Sequence, residues 1–376
     1  MSLYLDYNAS APICPEVLDV MFDVYKNVPG NADSRTHIYG TNAGKLVQES
    51  RNTIASVLGV DSSEVIFTSG STESNNTCIL GIEDYALQTG KRHIITTAIE
   101  HKAVLEPLHH LETKGFTVDY VKPDASGRVD ADNLLSLIKA DTILVSVVFV
   151  NSETGIIQPV DQIGKALKEK EILFHVDATQ ALGKLNTEIR NQDYDMMSIS
   201  SHKIGGPQGI GALILKRDKQ YKRPPISPLM YGGHQERGFR PGTTPVALVA
   251  GFAKAVELCE QNLKKNMENC AAVKTSFFEA IKNLPYTING APEYCLPSTV
   301  NISIDGLDAE AAFLCLGDGY SFSNGSACNS SSHSLSYVLD AMGLDEKRKS
   351  EAIRLSWDGS EQIDFADFAE IVSSMI

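Results

Sequence analysis

Lys203 stands in SISSHKIGGPQGIG, residues 198–211, after a short apolar run and before a glycine-rich turn. A lysine there has a fixed backbone, and a desolvated amine with a lowered pKa can form a Schiff base with an aldehyde. The same string also suits an ordinary surface lysine beside a turn, since lysines seek solvent. In HVDATQALG, residues 175–183, Asp177 closes an apolar strand. That is a costly place for a charge without a partner. A carboxylate so placed can hold a proton on a pyridine ring nitrogen, which makes the ring an electron sink. Gln180, three residues on, can reach an oxygen on such a ring. The competing reading of Asp177 is a cap on a following helix.

Three further segments carry chemistry. The turn SGSTES, residues 69–74, enters a helical pattern. Free amides and the helix dipole make such a turn an anion site, to which Thr72 adds a hydroxyl. Plain N-capping explains the same string. In SNGSACNSSS, residues 323–332, Cys328 sits among small polar residues with no apolar periodicity to bury it. Exposure of this kind suits a reactive thiol, against the alternative of an incidental loop cysteine. His101, in IEHKAV, follows a strand and can stack on a ring or cap the next helix. Arg354, in IRLSW, can grip a carboxylate bidentately or pair with a structural acid. GTNAGKL at 40–46 lacks the spacing and terminal hydroxyl of a nucleotide loop.

These groups need a frame that brings strand ends together. Short apolar runs at 65–67, 93–97, 117–121, 143–149, 172–176, 196–200 and 211–215 alternate with helical patterns, including 42–58, 102–113 and 161–170. Nearly continuous apolar strands with crossover helices predict an α/β sheet covered on both faces. Cofactor groups then belong at strand ends, where the sheet leaves a crevice. A long helix begins near Pro245, and a strand at 299–304 and a helix at 308–316 follow it. We therefore expect a large domain over 15–255 and a smaller C-terminal domain over 256–376, with residues 1–14 packing against the latter.

Composition narrows the function further. The 376 residues carry 33 Lys plus Arg against 47 Asp plus Glu, a formal charge of -14. An acidic body without a basic stripe argues against direct binding to duplex nucleic acid. No apolar run approaches the roughly 20 residues of a membrane span, and no secretory signal opens the chain, so a cytoplasmic enzyme is expected. The seven cysteines are scattered and form no CxxC pair. Neither a disulfide framework nor a metal site is expected.

In this order the segments resemble the cysteine desulfurases of the fold-type I pyridoxal-phosphate family, in the NifS/IscS-like group of class V aminotransferases. The resemblance runs from LYLDYNASAP through GNADSRTHIYG, FTSGSTESNN, EHKAVLE, VNSETGIIQPV, HVDATQALGK, SSHKIGGPQGIGAL and ERGFRPGTTP to SNGSACNSSS and RLSW. HVDATQ with SSHK marks the pyridoxal-phosphate class, and SNGSAC marks the subgroup with a mobile catalytic loop. The resemblance implies a mostly parallel, mixed seven-stranded sheet covered by helices, plus a smaller α+β domain. It implies that Lys203 holds pyridoxal 5'-phosphate as a Schiff base, His101 stacks on the ring, Asp177 faces the pyridine nitrogen and Gln180 meets the ring oxygen. The phosphate would sit among Thr72, Ser200 and His202, with Thr243 supplied by the other subunit of a homodimer. Asn31, Asn151 and Arg354 would bind substrate L-cysteine, whose sulfur Cys328 would carry as a persulfide to an acceptor protein. That acceptor would serve iron–sulfur cluster assembly or a thiolation of tRNA or DNA. Selenocysteine lyase and other class V aminotransferase activities share the fold, and a non-enzymatic scaffold is disfavoured by the intact Lys203, Asp177 and Cys328. This chain departs from the usual pattern in the turn IGGPQGIG, where relatives often carry tyrosine and lysine, and in a serine-richer cysteine loop. It also ends soon after its last core-like segment, so a specialised acceptor is one expectation.

Overall fold

The computed structural model describes residues 3–317, 319–323 and 335–376. The chain begins β1 (Leu3–Tyr4), α1 (Pro15–Asn27), α2 (Ile38–Leu58), β2 (Val65–Thr68), α3 (Ser71–Leu80) and α4 (Glu83–Thr89). It continues β3 (His93–Thr97), α5 (Lys102–Thr113), β4 (Thr117–Val121), α6 (Ala131–Ser136), β5 (Thr142–Val148) and α7 (Val160–Glu169). Next come β6 (Leu173–Asp177), α8 (Asn186–Arg190), β7 (Met196–Ser200), β8 (Gly211–Leu215) and α9 (Val246–Ala280). The last part holds β9 (Tyr286–Ile288), β10 (Thr299–Ile304), α10 (Ala309–Leu316), β11 (Tyr320–Ser321), α11 (Tyr337–Ala341), α12 (Glu346–Ser350), β12 (Ala352–Ser356) and α13 (Ala366–Ser373).

Among the described residues the main sheet has seven strands in the order β2-β8-β7-β6-β5-β3-β4. The pairs from β4 to β7 are parallel, whereas β8 runs antiparallel to both β7 and β2. Alternate side chains leave a strand on opposite faces. Ile95, Val145, Met197 and Ile214 thus join one core with α1, α2, α7 and α9. Their neighbours Ile94, Leu144, Met196 and Leu213 join the other core, with α3, α4 and α5. Burial on both faces explains why these strands read as unbroken apolar runs.

A separate core lies beyond the sheet. It gathers Cys270, Val273 and Phe277 of α9 with β10, β12, α10 and α13, and Leu5 of the N-terminal segment packs into it. Strands β12, β10 and β9 form an antiparallel sheet there, and β1 pairs with β11. Helix α9 runs for 35 residues and crosses position 255 unbroken. At 1.5 Å per residue it is about 50 Å long, enough to contribute to both cores. Helix α2 begins at Ile38, four residues ahead of its sequence pattern, because the His37 ring accepts a hydrogen bond from Gly40 N at 3.1 Å and caps it.

Candidate active site

Strands β2, β3, β5, β6 and β7 all end at one edge of the sheet, where the antiparallel β8 begins. The loops beyond those ends, with the N-terminal segment and β12, enclose two adjoining cavities of about 330 Å³ and about 340 Å³. The two share walls at Ala9, Ser71, Thr72 and His202. A larger cavity of about 700 Å³ opens at the opposite edge, beside Lys168, Tyr194, Lys216 and Arg217. It holds none of the residues singled out from sequence.

Lys203 ends a single 3-10 turn that follows β7 directly. Its Nζ donates to Asn8 O and Ala9 O, both at 2.7 Å, so the amine rests on the N-terminal segment at the cavity wall. Gly205 lets the chain turn away after it. The residue has φ +73°, and an added Cβ would lie 2.5 Å from Cys14 Sγ. His202 faces the neighbouring cavity with Nδ1 3.3 Å from Ser10 Oγ. Burial, aided by the Lys203 charge, lowers its pKa to about 4, so at neutral pH the ring is uncharged.

Asp177 is the last residue of β6 and is almost fully buried. Its Oδ2 accepts from Asn75 Nδ2 at 2.7 Å and its Oδ1 from Thr179 N at 3.0 Å. The carboxylate caps no helix, since the next one, α8, begins only at Asn186; it fixes the turn that follows β6 and borders the cavity. His101 does cap the next helix. Its Nδ1 accepts from Ala103 N at 3.0 Å to cap α5, while the residue lines the cavity. The Gln180 amide donates to Asn8 O at 2.8 Å and accepts from Lys184 Nζ at 2.9 Å.

The end of the site beside α3 suits an anion. Helix α3 has Gly70 at its N-cap and no capping side chain, so its first amides are left for a ligand. Thr72, Ser200 and His202 line this part, together with Ser10 and Gln208, which sequence reading missed. Thr243 is exposed and lies outside both cavities of its own chain.

Arg354, on β12, is buried against the other end of the main cavity. Its Nη1 donates to Ser152 O at 3.0 Å and its Nη2 pairs with the Asp6 carboxylate. Asn151 also lines this end, with its Oδ1 accepting from Glu153 N and Thr154 N, both at 2.9 Å. Asn31 is exposed, its Oδ1 accepting from Asp33 N at 3.0 Å, and it borders neither cavity. Cys328 lies outside the described residues. Glu153, Thr179 and Tyr337 line the main cavity without having been singled out from sequence. Their segments carried the signal: VNSETG for Glu153 and HVDATQ for Thr179.

The residues fit pyridoxal phosphate on the chemistry of the donor set. An amine, a buried carboxylate and an uncapped helix start face one continuous space. Two buried oxygens beside Asp177, Asn75 Oδ1 and Thr179 Oγ1, have no hydrogen-bond partner among the described residues, and Thr179 borders the cavity. Orphaned polar atoms at such a place point to a polar ligand.

Over residues 3–356 the chain matches the family described as "Aminotransferase class-V". It is 41% identical over 355 residues to "Cysteine desulfurase, mitochondrial" of Candida maltosa, covering 94% of this chain and 72% of that protein. A solved structure described as "NIFS-LIKE PROTEIN" superimposes with a TM-score of 0.90 at 35% identity, covering 100% of this chain and 98% of that one. Another, "SspA in complex with cysteine", superimposes with a TM-score of 0.83 at 36% identity, covering 95% and 99% respectively. The chain thus belongs to the class V aminotransferase family of pyridoxal-phosphate enzymes, in its NifS/IscS-like cysteine desulfurase group.

Proposed function

We propose that the protein converts L-cysteine to L-alanine and passes the sulfur, as a persulfide on Cys328, to an acceptor protein. The observation that carries this reading is that Lys203, Asp177 and Arg354 face one cavity, into whose wall the chain also brings Tyr337. Tyr337 follows the segment bearing Cys328, and Ser323, which precedes it, pairs with Arg354. The similar structure described as holding cysteine supports the substrate class.

Bound pyridoxal phosphate supplies an electron sink for the bond breaking at the substrate α carbon. The chain's residues do the rest. Arg354 orients the substrate carboxylate, and Asn151 shapes that end of the cavity. Lys203 would hold the cofactor through its amine, and the same amine can move the α proton of the substrate. His101 would lie against the cofactor ring, and the Asp177 carboxylate would favour a protonated ring nitrogen. The Cys328 thiolate attacks the substrate sulfur, a sulfur–sulfur bond forms, and the carbon–sulfur bond breaks. L-cysteine plus the enzyme thiol becomes L-alanine plus the enzyme persulfide, with no outside oxidant or reductant. Two copies form the working unit, with Thr243 of each completing the phosphate site of the other.

The test is mass spectrometry of the holoenzyme after L-cysteine alone, with alanine quantified and no reductant added. One sulfur gained on Cys328 for each alanine is the expected result, and Cys328→Ser abolishes both. Alanine released by Cys328→Ser at the parent rate, or an unmodified Cys328 without alanine in the parent, overturns the reading.

A further inference from the structure

Glu153 is a fully buried acid on the wall of the substrate cavity. Its Oε2 accepts from the Ser336 hydroxyl, and Ser336 Oγ in turn accepts from Leu339 N at 3.1 Å to cap α11. The Glu153 backbone is fixed as well, with its N–H donating to Asn151 Oδ1 at 2.9 Å and its carbonyl accepting from Asn301 Nδ2 at 3.0 Å. The preceding carbonyl, Ser152 O, takes the Arg354 Nη1 hydrogen bond at 3.0 Å. Arg354 thus meets the Asp6 carboxylate and the Ser152 carbonyl, the latter one residue ahead of Glu153.

We propose that Glu153 is a positioning residue that sets the charge of the substrate-carboxylate site, taking up a proton as a carboxylate settles on Arg354. This rests on the reading of Arg354 as the carboxylate grip. Asp6 pairs with Arg354, and Glu153 follows Ser152, whose carbonyl takes an Arg354 hydrogen bond, so with both acids ionised an arriving carboxylate is a third negative charge at this end of the cavity. One anion must be neutralised, and Glu153 is the more deeply buried of the two. Burial raises its pKa to about 7, against the opposing pull of the Ser336 hydroxyl, Arg354 and His101. Among the described residues, the charged or titratable groups along the same cavity are Arg354 from β12, His101 and Lys102 at the start of α5, His202 and Lys203 after β7, Asp177 at the end of β6 and Tyr337 of α11, with Asp6 from the N-terminal segment paired to Arg354.

The sign follows directly. Below about pH 7 Glu153 already carries its proton, so a carboxylate binds without proton uptake. Above it, binding draws in one proton, and affinity for the carboxylate falls by about tenfold per pH unit where uptake is complete.

Calorimetry on the holoenzyme at pH 8, in two buffers of different ionisation enthalpy, counts these protons. The probes are L-alanine and its carboxylate-free analogue L-alaninamide, each with parent, Glu153→Gln and Arg354→Gln proteins. The parent is expected to take up close to one proton more than Glu153→Gln with L-alanine, and no excess with L-alaninamide. An equal excess with both probes shows that the carboxylate does not meet Arg354, and the underlying reading fails together with the inference. No excess with either probe, while the parent still binds L-alanine more tightly than Arg354→Gln, overturns the Glu153 role alone. Ser336→Ala removes a hydroxyl that favours the ionised acid, so uptake in that variant begins at higher pH, and an unmoved onset also overturns the inference.

Discussion

A buried acid beside the site makes a prediction that needs no ligand. Glu100 has no exposed surface, and its Oε1 accepts from Thr97 Oγ1 at 2.6 Å and from Val148 N at 2.8 Å. Burial pushes its carboxyl up to about 8 despite those donors. In the unfolded chain a glutamate ionises near pH ~4.3. Between that pH and about 8 the native state holds the extra proton, so this group makes stability fall as pH rises through the window. The expected loss is on the order of a few kcal/mol. Glu100→Gln keeps the shape without the titration, so thermal melts from pH 5 to pH 9 should show the variant gaining on the parent as pH rises. Parallel profiles would mean that Glu100 is ionised in the native protein. Residues such as this mark the limit of sequence reading. Lys203, Asp177 and Thr72 were legible because a strand end next to a polar or glycine-rich turn exposes chemistry at a known place. Glu100 and Glu153 were not, because an acid in a loop segment reads as a solvated charge until its burial is seen. Asn75 was hidden for another reason: it sits one helical turn into α3, where nothing in sequence says that it faces Asp177.

At the scale of elements, the central strands were readable because burial on both faces leaves them apolar throughout, and their observed bounds fall within a residue of the runs. The apolar core changes along α9 from Val256 to Cys270 while the helix continues. The boundary expected at 255–256 falls inside this helix, and the polar stretch EQNLKK is where it passes from one core to the next. What sequence could not give is how closely two elements approach. At the start of β8 an added Cβ on Gly211 would lie 2.5 Å from Ile199 O and 2.7 Å from Gly70 Cα. All the nearest atoms are backbone, so no side chain can rotate away. Gly211→Ala must therefore push β8 from β7 and from the turn that opens α3. Overpacking of this kind costs about 1–3 kcal/mol. The same shift disturbs the anion end of the site, so denaturant titration and cofactor absorbance after dialysis should fall together. Full cofactor retention in a destabilised variant would separate the turn from phosphate binding.

At the scale of the molecule, the proposed homodimer can be tested from the described surface. Tyr231 is 85% exposed and Phe22 of α1 is 70% exposed, and Tyr25, Ile38 and Tyr39 are also open to solvent. Helices α1 and α2 both pack on α9, and each carries large apolar groups on its exposed side. Apolar groups exposed in this way are the mark of an interface. Thr243, just ahead of α9, lies outside its own chain's phosphate cavity, as a residue serving a second copy would. In the proposed twofold dimer the two sites are equivalent, and each would take Lys203 from one chain and Thr243 from the other. Sedimentation should then give twice the 40.8 kDa of one chain. Unfolding and refolding Lys203→Ala together with Thr243→Ala decides the finer point. Each homodimer carries a defect at both sites, whereas a mixed dimer has one site with both defects and one with neither. Random pairing then restores roughly a quarter of all sites, read as cofactor absorbance and alanine formation. If Thr243 serves its own chain, every site in the mixed dimer keeps a defect, and mixing restores nothing.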